Sequence, residues 1–254
     1  MVVLGFFDHG VEGEFSYFTV AHFVPIIIML VAIYLLYKFG DKLKDWKHEE
    51  NFRIAFAILI LLSDMTYFWH KIYLGDIGGF ADTPNVANHL PITVCGWAAM
   101  MSGYMLMTKK KGFFEVAYFF VLAGSINALI TPAVIMDNGP THFRYYQFWI
   151  EHTSIFIAVF YMIFVFGYKI QLKSMFKSFA VLIVLGILAV IVNANVPGAN
   201  YLFLSTTEAG ESVLDFLPSN FGLRLLIMSG VIGTLYFLAY LPWIFINKKQ
   251  NKEA

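Results

Sequence analysis

The chain has 254 residues, 59% of them hydrophobic and 13% charged, with a mean hydropathy of +0.69. Soluble domains average roughly 45–50% apolar and about 25% charged residues, so this composition excludes a soluble globular fold. Basic and acidic residues balance at 17 each, which removes the electrostatic basis for a nucleic-acid partner and points to membrane lipids or small molecules.

A single cysteine, Cys95, excludes an intrachain disulfide and a thiolate zinc cluster, and no pattern implies a cofactor. The N-terminus, Met1-Val2-Val3 and then Asp8, Glu12 and Glu14, lacks the basic start and cleavage site of a signal peptide and is expected to be retained. Apolar runs bounded by charge or by Gly, Pro, Asn and Asp fall at 17–38, 53–73, 87–108, 113–132, 144–168, 178–194 and 221–246. Each is near the length that crosses the hydrocarbon layer, where a segment must satisfy its own backbone as a helix. The expectation is an all-α bundle of seven transmembrane helices forming a single membrane domain over residues 1–254, a multi-pass protein of the cell membrane.

Orientation follows from Lys and Arg, which short loops retain on the cytoplasmic side. Lys38, Lys42, Lys44, Lys47 and Arg53 follow the first run. Lys109, Lys110 and Lys111 follow the third, Lys169, Lys173 and Lys177 the fifth, and Lys248, Lys249 and Lys252 the seventh. These are fourteen of the seventeen basic residues. They put the N-terminus outside and the C-terminus in the cytoplasm.

With that orientation the polar residues of the spans gather in the outer half: His22, Asp64, His70, His89, Cys95, Asn127, Thr131, Gln147, Glu151, His152, Asn193, Asn195 and Arg224. The inner halves read as almost wholly apolar. An ionisable group in hydrocarbon costs at least about 2.5–3.5 kcal/mol and turns inward to pair, so polar groups at one depth on several helices predict a shared cavity. Residues near span ends can also simply rest in the interface, and that reading stands beside the first.

The third span opens Asn88-His89-Leu90-Pro91-Ile92-Thr93-Val94-Cys95. Pro91 suits a first helical turn, and the seven-residue separation of Asn88 and Cys95 would place them on one helix face. In the fifth span Tyr145 and His152 share a face, with Gln147 and Glu151 as an i, i+4 pair beside it. His152 reads either as a hydrogen-bonded core residue or as a general base. After the sixth span, Val196-Pro197-Gly198 ends a helix, and Asn200-Tyr201-Leu202-Phe203-Leu204 is apolar enough for an interface anchor or a re-entrant turn before an acidic loop with Glu208, Glu211 and Asp215. In the seventh span Ser229, Gly230, Gly233 and Thr234 form a small-residue face suited to close helix packing.

These stretches resemble a known family. Leu90-Pro91-Ile92-Thr93-Val94-Cys95, Ala123-Gly124-Ser125 through Asn127-Ala128-Leu129 and Pro132, the Gln147 to His152 segment, Gly198-Ala199-Asn200-Tyr201-Leu202-Phe203-Leu204 and Leu214-Asp215-Phe216-Leu217 are similar to the bacterial YwaF-type membrane proteins. Those group with the transmembrane protein 164 family. For its eukaryotic members the resemblance implies acyl transfer between phospholipids by a Cys and a His, which by motif would be Cys95 and His152. The family's usual Pro-Leu-His-Leu-Cys has a His where Thr93 stands here.

The leading expectation is a lipid acyltransferase or acyl hydrolase with catalytic Cys95 and His152. Asn127 or Asn193 would act at the oxyanion, and Glu151, Gln147, Asp64, His89, Asn200, Tyr201 and Arg224 would line the site. A transporter or small-molecule binding protein, with Asp64 and Arg224 as a charge pair or ion site, is the alternative. A metal hydrolase built on Asp64, His70, His89 and His152 is a third. Nothing in the sequence specifies oligomeric state.

Overall fold

The structure, a computed structural model, describes residues 5–11, 13–75, 89–204 and 217–253. Among these there are no strands and seven principal helices. They are α1 (Val20–Lys44), α2 (Glu49–Tyr73), α3 (Val94–Thr108), α4 (Lys111–Ile130), α5 (Phe143–Phe164), α6 (Leu172–Asn195) and α7 (Phe221–Glu253). Six of them are long and apolar enough to cross a membrane, and the exception is α3, with 15 residues. Within α4 the residues Phe120–Ser125 form a π turn, marked by the Ser125 hydroxyl donating to Phe120 O at 3.3 Å.

The upper end of the bundle is defined here as the one where α2, α4 and α6 finish and α3, α5 and α7 begin. α5 is the axis of the molecule: it packs on α1, α2, α3 and the π turn of α4, and 67% of its apolar window is buried, against 6% for α7. The outward faces of α1 and α6, with Ile27, Ile28, Leu30, Val31, Ile183, Val184 and Ile187, are exposed. A continuous apolar exterior on helices that satisfy their own backbones is the surface expected against lipid tails.

Close packing is set by glycines. A Cβ on Gly40 of α1 would stand 2.4 Å from the Phe164 carbonyl oxygen of α5, and one on Gly124 would stand 2.4 Å from Val94 Cγ1 of α3. The small-residue face expected to pack on α7 is instead open, since nothing lies within 4 Å of a Cβ at Gly230 or Gly233.

Two further expectations are corrected. The third helix begins at Val94 rather than near residue 87, because Thr93 is extended (φ −123°, ψ 150°) and its hydroxyl caps the helix by accepting from Gly96 N at 3.0 Å. Pro91 therefore lies ahead of the helix rather than in its first turn. Its Asn88 neighbour, expected to share a face with Cys95, falls outside the described residues, as do Glu208, Glu211, Asp215 and Leu214 to Phe216.

The lower end is also not purely apolar. Arg53, 1% exposed, is held by Glu49 at 2.8 Å, and Tyr161 donates to the same carboxylate at 2.7 Å. The arginine reaches the carbonyls of Leu106 and Met107 and so closes the C-terminal turn of α3, where a cation is favoured. Between α4 and α6, Glu115 accepts from Ser174 at 2.9 Å and from Lys177 at 3.0 Å. Glu49 and Arg53 read as loop residues, because the sequence places the second span's start at 53, whereas α2 begins at Glu49.

Because the obstruction at Gly40 is backbone, Gly40→Ala should cost about 1–3 kcal/mol by overpacking. Gly186 of α6 has nothing within 4 Å of a Cβ, so Gly186→Ala should leave stability unchanged or slightly raised. Thermal midpoints of the two variants in detergent check this pair of outcomes.

Candidate functional site

Where α2 and α5 face each other in the upper half, residues three or four apart on each helix bring polar groups to one seam. Gln147 is its centre. Its Nε2 donates to the Ser63 carbonyl of α2 at 2.8 Å and to Glu151 Oε2 at 2.7 Å, while its Oε1 accepts from Arg144 Nη1. Acceptors on one side and a cation on the other fix which way the amide points. Arg144 lies across the Tyr67 ring at 4.7 Å and near the Phe148 ring at 5.7 Å. Tyr67 in turn hydrogen-bonds His89 Nδ1 at 3.0 Å.

Asp64 joins this seam from α2 and interacts electrostatically with Glu151. It also lies against the first turn of α3, for a Cβ on Gly96 would stand 3.5 Å from Asp64 Oδ1. Cys95, a free and half-buried thiol, is the neighbouring residue in that turn. The first bond of α3 runs from Trp97 N to Thr93 O, and Thr93 Oγ1 takes the Gly96 N–H. The N–H groups of Val94 and Cys95 thus precede the helix's own bonding and are available to a ligand oxygen.

His152 is 6% exposed, and its Nδ1 meets the Phe148 carbonyl at 2.9 Å with the two rings stacked 4.1 Å apart. A carbonyl can only accept, so Nδ1 carries the proton and the neutral ring presents a lone pair at Nε2. Tyr145, Trp149, His152 and Phe156 share one helical face, turned away from Gln147 and Glu151. The π turn of α4 packs on both α3 and α5, so the helices carrying Cys95 and His152 share a neighbour. The two side chains are not in hydrogen-bond contact with each other.

One turn below His152, Phe156 forms the floor of a groove between α1 and α4, of about 450 Å³, lined by residues including Ile26, Met29, Ile33, Ile126 and Phe160. His22 stands at its rim. The His22 Nδ1 accepts from Phe18 N at 3.0 Å, so Nε2 donates to the Leu129 carbonyl at 2.7 Å, and both nitrogens are committed to structure.

A second group of predicted residues forms a clasp rather than a cavity. Asn193 closes on the Tyr201 backbone twice, accepting from its N–H at 2.8 Å and donating to its carbonyl at 3.0 Å. The Tyr201 hydroxyl accepts from Leu90 N at 2.6 Å, which ties the end of α6 to the approach to α3. Tyr201 is 5% exposed and packs with Ala189, Ala199 and Leu204, so it is core and not an interface anchor. Burial pushes its hydroxyl up from the ordinary 10.0, against a pull from the Leu90 N–H, and it stays neutral. Asn200 sits half-buried beside it. Arg224, 2% exposed, donates to the carbonyls of Pro218 at 3.0 Å and Phe203 at 2.9 Å.

The expected residues therefore divide. Asp64, His89, Gln147 and Glu151 share the α2–α5 seam, while Asn193, Asn200, Tyr201 and Arg224 brace loops. Among the described residues Arg224 is not paired with Asp64: its guanidinium is turned to the carbonyls of Pro218 and Phe203. Asn127 is exposed on α4 and contributes its carbonyl to Thr131. His70 meets the Phe7 carbonyl at 2.8 Å, and among the described residues no group of three or more His, Cys, Asp or Glu could hold a metal. Arg144 and Tyr67 were missed, although Arg144, Gln147 and Glu151 at i, i+3 and i+7 already mark a polar stripe on one face.

Asn193→Ala should remove both side-chain bonds to the Tyr201 backbone at a half-buried site, destabilising the fold by about 1–3 kcal/mol. The denaturation midpoint should fall accordingly, and cleavage by protease after α6 should quicken.

A sequence profile of the TMEM164 family matches residues 17–247. No curated protein and no solved structure matches the chain. The profile covers six helices of the bundle in full, α7 up to residue 247 and both polar groups just described, and the chain belongs to the TMEM164 family.

Proposed function

We propose that this membrane protein transfers or hydrolyses acyl groups of lipids, with Cys95 as nucleophile and His152 as general base. The observation that carries the reading is the tautomer of His152: its Nδ1–H is held by the Phe148 carbonyl, which leaves Nε2 as the proton acceptor a base requires. The ring is oriented by a stack and a backbone bond, the supporting role that a third group plays in a triad.

The steps are these. As the substrate ester closes the gap between the two side chains, the Cys95 thiol gives its proton to His152 Nε2, and the sulfur attacks the ester carbonyl carbon. The tetrahedral oxyanion draws on the N–H groups of Val94 and Cys95, in place of the amides of Asn127 and Asn193. Collapse breaks the bond to the leaving alcohol, which takes the proton from His152 and leaves an acyl thioester on Cys95. An acceptor hydroxyl or water, losing its proton to His152, attacks the thioester and restores the thiol. The groove floored by Phe156 is the candidate to receive the acyl chain, since its lining is apolar and Phe156 stands one turn from His152 along α5.

The reading supposes seven crossings in the cell membrane with the upper end outside. The 15 residues of α3 span about 22 Å, short of the roughly 30 Å hydrocarbon layer, and the stretch from His89 to Thr93 makes up the rest. Irregular backbone is tolerated at depth where protein covers it, and here Leu90 N–H is met by Tyr201 and Pro91 O accepts from Trp97 Nε1 at 3.0 Å. The transport reading is less favoured, because the Glu49, Arg53 and Tyr161 knot closes the lower end where a second route would open.

Cys95→Ala and His152→Ala should each lower exchange of radiolabelled acyl chains between phospholipids at least about a hundredfold. Turnover at the wild-type rate in both would dispose of the proposal. For topology, single cysteines at Ser219 and Lys109 in a Cys95→Ala background should differ: a membrane-impermeant maleimide added to intact cells labels the first and spares the second. Equal labelling would sink the assigned orientation.

A further inference from the structure

We propose that Arg144 is a phosphate-binding residue, which holds the headgroup phosphate of a phospholipid at the upper mouth of the α2–α5 seam. The inference deepens the reading of the protein as a lipid-modifying enzyme and takes its source of phosphate from it, but it requires nothing of Cys95 or His152.

The argument begins with how the guanidinium is held. Arg144 is the second residue of α5, near enough to the end of the helix that its long side chain could extend to the membrane surface. Instead it turns inward across Tyr67 of α2 at 4.7 Å and toward Phe148 of α5 at 5.7 Å, with one hydrogen bond to Gln147 Oε1. A cation drawn under aromatic rings in a membrane helix ordinarily pairs with a carboxylate. Among the described residues this one has no carboxylate within 4.0 Å.

The reason is Gln147. Its amide oxygen occupies the guanidinium while its N–H groups occupy Glu151 and the Ser63 carbonyl. The glutamine acts as a spacer: it couples cation and anion in charge, and it prevents them from closing into a salt bridge. A guanidinium offers five N–H donors in a planar fork, and Gln147 uses one. Arg144 is half-buried, and none of its nitrogens is both enclosed and without a partner, so those that Gln147 does not hold keep accessible surface.

A planar, ring-clamped fork with unspent donors is matched in shape by two oxygens of a phosphate. Asp64 and Glu151 lie on the far side of the spacer, deeper along α2 and α5 from the upper end. A carboxylate ligand would offer the same two oxygens, but the phosphate of a phospholipid is the anion present at high concentration at the end of a membrane helix.

The test uses the purified full-length protein, delipidated in detergent and then offered phosphatidylglycerol or diacylglycerol, with retained lipid read by native mass spectrometry. Wild type and Gly186→Ala, a change outside both polar groups, should retain phosphatidylglycerol equally. Arg144→Gln should retain about tenfold less, as expected for loss of a charge-assisted pair, and Arg144→Lys, which keeps the charge without the fork, should fall between. Diacylglycerol should be retained alike by all four. Thermal midpoints close to wild type certify the fold, and if Arg144→Gln does not fold, Arg144→Lys against wild type decides. Displacement of the lipid by millimolar inorganic phosphate supports a phosphate site that also takes the free ion, and resistance to it supports the headgroup alone. Wild-type retention of phosphatidylglycerol in the folded arginine variants overturns the proposal. The acyl-transfer reading fails separately, on exchange by Cys95→Ala and His152→Ala.

Discussion

Without water in the hydrocarbon layer, a polar side chain carried into it must find its partner on another helix, and that constraint organises this bundle. α5 carries Arg144, Gln147 and Glu151 along one stripe and could not be stable alone in lipid. It becomes stable by laying that stripe against α2, where the Ser63 carbonyl, Tyr67 and Asp64 receive it. Burial of α5 on nearly every side follows from the same requirement, since its other faces hold His152 and Tyr145, whose hydroxyl donates to the Ala21 carbonyl of α1 at 2.6 Å. The helices with little such polar cargo, α6 and α7 through most of their lengths, remain at the periphery with their apolar faces outward.

Two ends of the molecule solve one problem with different chemistry. At the lower end the solution is closed: Arg53, Glu49, Tyr161 and the last carbonyls of α3 satisfy one another at 1% exposure of the arginine. At the upper end Gln147 keeps a cation and a carboxylate apart, and donors remain over. A closed knot of this kind is structural, because a ligand would have to replace bonds of equal quality. An open arrangement with spare donors is where a ligand gains most, and the candidate chemistry gathers there for that reason.

The helical class and the positions of six long helices were legible in the sequence, because hydropathy and period are properties of single segments. What was not legible is partnership. Asn193 and Gln147 are both amides near span ends, yet one braces a loop and the other links two helices, and nothing local tells them apart. Arg224 and Arg144 form a similar pair: the first donates to the backbone carbonyls of Pro218 and Phe203, the second to the side chain of Gln147. The small-residue face of α7 looked like a packing surface by composition, but composition does not say which helix will face it, and the close approaches fell at Gly40, Gly103 and Gly124 instead. The lower-end knot was missed because Glu49 and Arg53 were assigned to a loop, where charge is ordinary.

The break ahead of α3 connects the fold to the chemistry. Had the helix run unbroken from residue 87, the backbone N–H of Cys95 would have been tied into the preceding turn and the thiol would have been an inert side chain on a helix wall. Thr93 prevents this. Its extended backbone stops the helix, its hydroxyl satisfies Gly96 N, and the N–H groups of Val94 and Cys95 are left ahead of the first helical bond, next to the sulfur in sequence. The clasp of Asn193 on Tyr201, and of Tyr201 on Leu90, then holds the extended stretch in place. A loop bond made 111 residues away thus determines where the helix carrying the only thiol begins.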